Sequence, residues 1–202
     1  MTSVVAFAAL WLVAVATPGP NVLLITGAAL DASRKIAAWT VGGVLVGTAV
    51  WGAAGYFGVG LLFSSAPWVY LGLKLVGGAY VVYLGVRLLL KKPSPVAEPL
   101  IVGRRSGWRA FRRGLMTQLS NPKSGAFVAT IFAATMPREA PLSAGLTAIL
   151  MMVTISGLWY GMLCWSFGLE SIRLRYMRAR RAIERVTGAL FVAFGIGIAT
   201  SR

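Results

Sequence analysis

The chain has 202 residues, of which 57% are hydrophobic and only 12% are charged, and its formal net charge is +15. Soluble domains carry about 25% charged residues, so the composition excludes an ordinary soluble protein, and the abundance of apolar side chains excludes a disordered one. The single cysteine, Cys164, excludes an intramolecular disulfide. The absence of histidine removes the commonest general base and metal ligand, so we predict no catalytic centre, metal or other cofactor.

In chain order, six apolar stretches are candidates to cross a bilayer, which requires about 20 mainly apolar residues. They are residues 4–30, 36–62, 67–90, 114–136, 141–168 and 185–200. The last stretch is short, so we expect its helix to begin within the basic residues before it. A signal peptide at the N-terminus is disfavoured because no basic region precedes the first apolar stretch.

The positive charge is concentrated in three connections, which follow the first, third and fifth apolar stretches. These connections are residues 31–35, 91–113 and 171–184. Basic connections remain in the cytoplasm, and all three lie on one side if six helices alternate in direction. Both termini would then lie outside an inner membrane. The charge therefore indicates topology and attraction to anionic lipid, and we expect no nucleic-acid partner.

The chain divides into two halves with matching features. Each half begins with a stretch that proline interrupts beside an asparagine, at residues 17–21 (TPGPN) and 121–123 (NPK). Each half ends with a matching glycine-containing stretch, residues 74–85 in the first half and residues 185–195 in the second. The prediction is one all-α membrane domain of two inverted three-helix repeats, residues 1–90 and 114–202, joined by a cytoplasmic loop at 91–113. Its first and fourth spans are broken, a pattern typical of secondary transporters.

The two broken helices are the predicted substrate site. Proline lacks an N–H group and clashes with the carbonyl four residues earlier, so carbonyls near residues 14–17 should lack helical partners. The half-helix after Pro20 should begin with free N–H groups, which suit a carboxylate. Such groups cost several kcal/mol each in hydrocarbon unless protein, water or a ligand satisfies them. The competing interpretation is a simple kink that binds nothing.

The order and spacing of these motifs resemble the LysE/RhtB family of amino-acid exporters. The resemblance rests on residues 18–24 (PGPNVLL), 73–85 (LKLVGGAYVVYLG) and 111–123 (FRRGLMTQLSNPK) and covers nearly the whole chain. It implies six spans in the inner membrane and efflux of amino acids by alternating access, driven by a proton or ion gradient. It also places the two helix breaks of the family on residues 18–21 and 121–123. The connection at 31–35 departs from the glycine-containing turn of the family.

Other polar residues inside the spans complete the predicted site. Lys74 either binds a ligand or extends to the outer headgroups, because a lysine near mid-membrane costs roughly 2.5–3.5 kcal/mol. Gln118 lies one turn before Asn121 and is expected to share its helix face. Thr48 either lines the path or bonds its own backbone. The predicted substrate-binding residues are Pro18, Gly19, Pro20, Asn21, Thr48, Lys74, Gln118, Asn121, Pro122 and Lys123, and Asp31 is the candidate proton acceptor.

No carboxylate lies in the middle of a predicted span. An exporter of lysine or arginine should offer a negative partner to the cationic side chain at that depth. We therefore predict export of a neutral amino acid similar to homoserine, threonine or leucine. The alternatives are an exporter of another small solute or a metal ion, and a membrane scaffold protein. The expected partners are a small-molecule amino acid and lipid, and homo-oligomerisation is left open.

Overall fold

The computed structural model describes residues 2–31, 33–65, 67–90, 106–137, 140–166 and 170–200. Within these ranges the secondary structure is entirely α-helical. The helices are α1 (Thr2–Ala16), α2 (Pro20–Asp31), α3 (Arg34–Ser65), α4 (Pro67–Leu90), α5 (Gly107–Leu119), α6 (Pro122–Thr135), α7 (Leu142–Ser166) and α8 (Glu170–Thr200). The two predicted breaks therefore separate α1 from α2 and α5 from α6.

Two of the described helices are long and apolar enough to cross a membrane, at Arg34–Leu61 and Leu142–Ser166. A third span results if α1 and α2 count as one helix that bends by 59° at its break. Large apolar side chains on α7 are exposed, including Leu150 and Leu158. An extended apolar surface of this kind suits contact with lipid. The predicted class, an all-α membrane protein, is confirmed.

The start of α5 corrects the predicted loop at 91–113. Residues 91–105 lie outside the described part of the chain, but α5 already begins at Gly107. Gly107 packs directly on the indole of Trp39 in α3, and the ring of Trp108 stacks on that of Phe111 at 5.4 Å. These aromatic contacts extend the helix into the basic segment because they give its first two turns an apolar partner.

The predicted connection at 171–184 is also helical, because α8 begins at Glu170. This agrees with the expectation that the last helix starts within the basic stretch. Arg180 Nε and Glu184 Oε1 form an ion pair of 3.1 Å one turn apart. Such a pair stabilises a helix modestly. The last basic connection is therefore shorter than the sequence analysis predicted.

Inter-helix contacts define the direction of each helix relative to its neighbours. Gly43 of α3 packs on Phe111, and Gly55 packs on Phe132, so α3 runs parallel to α5 and α6. Along α7 the order is reversed, because Tyr56 contacts Gly145 near the end of α3 that lies far from Arg34. The carbonyl of Arg34 accepts a hydrogen bond from Cys164 at the other end of α7. Thus α3 and α7 are antiparallel.

Helix α4 crosses α8 closely at two glycine pairs. A Cβ atom on Gly85 would lie 2.6 Å from the carbonyl oxygen of Gly188, and one on Gly195 would lie 2.6 Å from that of Gly78. The two helices are therefore antiparallel. The contact of Gly85 with Gly188 becomes that of Gly195 with Gly78 when α4 and α8 exchange places. In this geometry Gly78 is equivalent to Gly188, and Gly85 is equivalent to Gly195.

Candidate functional site

The first break interrupts the helical hydrogen bonds between α1 and α2. The N–H and the hydroxyl of Thr17 both donate to the carbonyl oxygen of Val13, at 3.1 and 2.7 Å, and so end α1. Pro18 and Pro20 follow, and neither has an N–H group to continue the helix. Helical bonding resumes where the N–H of Leu23 donates to the carbonyl of Gly19 at 3.0 Å. The prolines therefore leave the carbonyl groups at the end of α1 open to partners from other helices.

The second break is closed by its own asparagine. Asn121 has an extended backbone (φ −79°, ψ 106°), and its side chain accepts a hydrogen bond of 3.1 Å from the N–H of Lys123. Asn121 is thus the N-cap of α6, and Pro122 occupies the first helical position, where a missing N–H costs nothing. The proline also disfavours a helical conformation at Asn121.

The prediction that Gln118 and Asn121 share one helix face is wrong. Helix α5 ends at Leu119, between the two residues, and the chain turns before Asn121. The N–H of Asn121 donates to the carbonyl of Gln118 at 3.3 Å within that turn. Both side chains are buried, but Gln118 extends toward α2 and α3 whereas Asn121 caps α6.

Lys123 connects the second break to the first. Its Nζ donates a hydrogen bond of 3.1 Å to the carbonyl oxygen of Ala14 and lies 5.7 Å from the centre of the Phe191 ring. Ala14 lies four residues before Pro18, so its carbonyl is the one that this proline deprives of a helical partner. A lysine from the other half of the chain therefore satisfies the carbonyl that the sequence analysis expected to be open.

Gln118 stands at the centre of a buried polar network. Its Oε1 accepts hydrogen bonds from Asn21 Nδ2 at 2.6 Å and from Ser124 Oγ at 3.0 Å. Its Nε2 donates to Thr48 Oγ1 at 3.0 Å, and that hydroxyl in turn donates to the carbonyl of Val44 at 2.9 Å. The interpretation that Thr48 bonds its own backbone is thus confirmed, and its hydroxyl also accepts a bond from Gln118, while its place on a substrate path stays a prediction. The network joins α2, α3, α5 and α6.

A small cavity of about 30 Å³ lies beside this network, and we call it the polar cavity. Its described lining includes Trp11, Asn21, Gln118, Lys123 and Tyr160. The Oδ1 atom of Asn21 is buried and has no hydrogen-bond partner among the described residues. This volume exceeds the roughly 10–15 Å³ that a cavity needs to hold a water molecule. An uncompensated buried acceptor of this kind favours a site for a hydrogen-bond donor.

Comparison with known proteins identifies the class to which this site belongs. The sequence model of the LysE type translocators matches residues 12–202. The chain belongs to the LysE translocator family. It is 30% identical to the threonine efflux proteins of Salmonella typhi and Escherichia coli (strain K12), over 95% of this chain and 94% of each relative. It is also 31% identical to an uncharacterized membrane protein of Escherichia coli (strain K12), YahN, over 89% of this chain and 81% of that protein. No solved structure matches the chain.

Membership of the LysE translocators makes this chain a membrane-embedded transporter rather than an enzyme. Most of the predicted site residues border the polar cavity or the wider space next to it. Those described here are Pro18, Gly19, Pro20, Asn21, Thr48, Gln118, Asn121, Pro122 and Lys123. The predicted roles of Lys74 and Asp31 stay predictions, because both side chains lie outside the described part of the LysE translocator.

Sequence reasoning missed the contribution of α7 to the site of this translocator. Trp11 Nε1 donates to the carbonyl of Met152 at 3.0 Å and to Ser156 Oγ at 3.1 Å. Asn21 Nδ2 approaches the hydroxyl of Tyr160 at 3.4 Å. Ser156 and Tyr160 are one helical turn apart and so share a face of α7. That spacing of two polar groups within an apolar stretch was the signal available in the sequence.

Proposed function

We propose that this translocator exports a neutral amino acid, with threonine as the first candidate, across the cytoplasmic membrane by alternating access. The observation that carries the proposal is the buried polar network between the two helix breaks, to which Lys123 contributes a cation. No Asp or Glu belongs to the described lining of the adjoining cavities. The names of the threonine efflux relatives support the same substrate class.

The chemistry of an amino acid fits the groups around the polar cavity. A carboxylate would pair with Lys123 Nζ, whose acceptor among the described residues is an uncharged carbonyl. A carboxylate would add the attraction of a full negative charge, which a carbonyl lacks. An ammonium group would donate to the unpartnered Oδ1 of Asn21. A cationic substrate side chain would find no described carboxylate here, which favours a neutral amino acid.

The proposed arrangement has six spans in two inverted repeats, residues 1–90 and 114–202, with both termini outside. Helix directions support it, because α3 is parallel to α5 and α6 but antiparallel to α7, as six alternating spans require. The reciprocal contacts of Gly78 with Gly195 and of Gly85 with Gly188 support a two-fold relation of the halves. The charge distribution supports a cytoplasmic side for residues 31–35 and 91–113.

A panel efflux assay tests this function. Cells without their own exporters would be loaded with labelled threonine, homoserine, leucine, lysine or arginine, and efflux compared with and without expression of the chain. We expect accelerated efflux of neutral amino acids only. Preferential efflux of lysine or arginine would contradict the substrate class, and unchanged efflux of the whole panel would contradict export of amino acids.

We propose in addition that export is coupled to protons and that Asp31 is the proton acceptor. Collapsing the proton gradient should abolish accumulation against a concentration gradient while leaving downhill exchange intact. Asp31→Asn should likewise lose accumulation against the gradient and keep downhill exchange, and Asp31→Glu should keep both. Gradient-driven efflux by Asp31→Asn at the rate of the unchanged chain would exclude Asp31 as the proton acceptor.

A further inference from the structure

A second and wider cavity adjoins the polar cavity. It has a volume of about 770 Å³ and lies between the two helix breaks, the second half of α4 and Phe191 of α8. We call it the wide cavity. The two cavities share a wall formed by Thr17, Gly19, Pro20, Asn121 and Lys123. The contact between Lys123 Nζ and the carbonyl of Ala14 lies in this wall.

The volumes decide which cavity can receive a substrate in the observed conformation. The polar cavity, at about 30 Å³, has room for water but none for an amino acid. The wide cavity, at about 770 Å³, accommodates an amino acid together with water. A substrate must therefore occupy the wide cavity first and can enter the polar cavity only if the shared wall moves.

The packing of the half-helices indicates the side from which the wide cavity is reached. After the second break, α6 packs on the first half of α4, where a Cβ atom on Gly77 would lie 2.5 Å from Thr130 Oγ1. After the first break, α2 makes no comparable contact with α8 among the described residues and packs on α3 instead. Helix α6 thus covers the middle of α4 at Gly77, whereas the wide cavity extends along the second half of α4 to Arg87.

Arg87 lies in the last turn of α4, is exposed, and lines the wide cavity. The basic residues 91–92 follow immediately in the sequence, so this end of α4 is assigned to the cytoplasm by its charge. An arginine at the mouth of an apolar cleft raises the local concentration of anionic groups. Arg87 at the mouth and Lys123 at the inner wall form two successive cationic positions for a carboxylate.

We propose that the wide cavity is the cytoplasmic entrance for the carboxylate end of the substrate, and that the Lys123–Ala14 contact is its inner gate. The proposal rests on amino-acid export as the function. Arg87 attracts the carboxylate, which then replaces the Ala14 carbonyl as the acceptor of Lys123. Releasing that carbonyl removes one of the two side-chain contacts described between the helix breaks, the other being the bond from Asn21 to Gln118, and so allows the wall between the cavities to open. The ammonium group then reaches Asn21 Oδ1 in the polar cavity.

Labelling of a single cysteine tests the entrance. Tyr83 lines the wide cavity and is 54% exposed, so Tyr83→Cys on a Cys164→Ala background places one thiol at the entrance. Ser143→Cys, in the exposed first turn of α7 at the opposite end, is the matched control. Both variants would be treated with a membrane-impermeant, negatively charged methanethiosulfonate in inside-out and right-side-out vesicles.

We expect Tyr83→Cys to react at least tenfold faster in inside-out vesicles, to be protected by threonine, and to lose threonine transport once labelled. Ser143→Cys should react from the outer face and keep its transport. Reaction of Tyr83→Cys from the outer face would contradict the proposal that the wide cavity opens to the cytoplasm. The proposal would be overturned equally if Tyr83→Cys were labelled from the cytoplasmic face but threonine did not slow the reaction and the label did not reduce transport.

Kinetics provide an independent test of Arg87. Arg87→Gln should raise the apparent KM for threonine several-fold without changing the maximal rate, and Arg87→Lys should restore the KM. Arg109→Gln removes an exposed charge from α5 and should leave both parameters unchanged. An unchanged KM in Arg87→Gln would contradict attraction at the entrance. The unchanged chain must export threonine, because failure there refutes the proposed function, whereas export with reversed labelling of Tyr83→Cys refutes only the entrance.

Discussion

The break between α1 and α2 and the break between α5 and α6 both join proline to asparagine, but in opposite order. In the second break Asn121 precedes Pro122, so it is held in an extended conformation and caps α6. In the first break Asn21 follows Pro20 and lies inside the first turn of α2. Its side chain is therefore available to bond Gln118 on another helix.

This difference in order divides the roles of the two breaks. The second break is closed by its own residues, since Asn121 accepts from the N–H of Lys123. The first break has partners from the second, because Lys123 satisfies the carbonyl of Ala14 and Gln118 accepts from Asn21. A change at Lys123 or Gln118 is thus transmitted to the first break directly. We expect the second break to position the site and the first to move.

Removing the charge of Lys123 should have the largest effect, because it takes away the group that joins the two breaks. Lys123→Gln should reduce threonine efflux at least about tenfold, since a hydrogen bond to a charged group contributes about 1.5–3 kcal/mol. The measurement is efflux normalised to the amount of protein in the membrane. Lys123→Arg keeps the charge and should retain more activity. Equal rates for Lys123→Gln and the unchanged chain would remove Lys123 from the site.

Asn21→Ala should come next, with a greater effect on transport than on stability. The variant loses the 2.6 Å bond to Gln118, whose Oε1 is still bonded by Ser124, and also loses the free acceptor of the polar cavity. We expect efflux to fall about tenfold, the equivalent of about 1.4 kcal/mol. Thermal unfolding in detergent is the parallel measurement. A large loss of stability with normal transport per folded molecule would assign Asn21 to the fold alone.

The positions of both breaks could be predicted from the sequence because proline acts locally, through its missing N–H and its clash with the preceding turn. The same local effect predicts the open carbonyl at Ala14, which lies four residues before Pro18. The partner of that carbonyl does not, because Lys123 is 109 residues away and the contact depends on how α1 packs on α6. The sequence likewise places Gln118 in the site but cannot identify its partners, since Asn21 and Thr48 lie on other helices.

Asn121→Ala should act on stability, in contrast to Asn21→Ala. Loss of an N-cap costs about 1 kcal/mol, which shifts the melting temperature of a chain of this size by about 2–4 °C. Efflux should fall only about two- to threefold, because Lys123 is less well positioned. Asn121→Ser should melt at the temperature of the unchanged chain, since serine is also a good N-cap. Asn21→Ser, in contrast, should transport as poorly as Asn21→Ala. Failure of Asn121→Ser to restore stability would contradict the capping role.

Gly19→Ala should have the smallest effect, because the prolines rather than the glycine produce the first break. A Cβ atom on Gly19 would lie 3.8 Å from the carbonyl oxygen of Thr17 and 4.0 Å from Lys123 Nζ, which are ordinary contact distances. The alanine should leave efflux unchanged and could raise stability by about 0.4–1 kcal/mol through the unfolded state. Normal stability with lost efflux would mean that transport requires a conformation of residue 19 that only glycine adopts. The first break would then have to change its backbone conformation during each cycle, whereas the capped second break would keep its own.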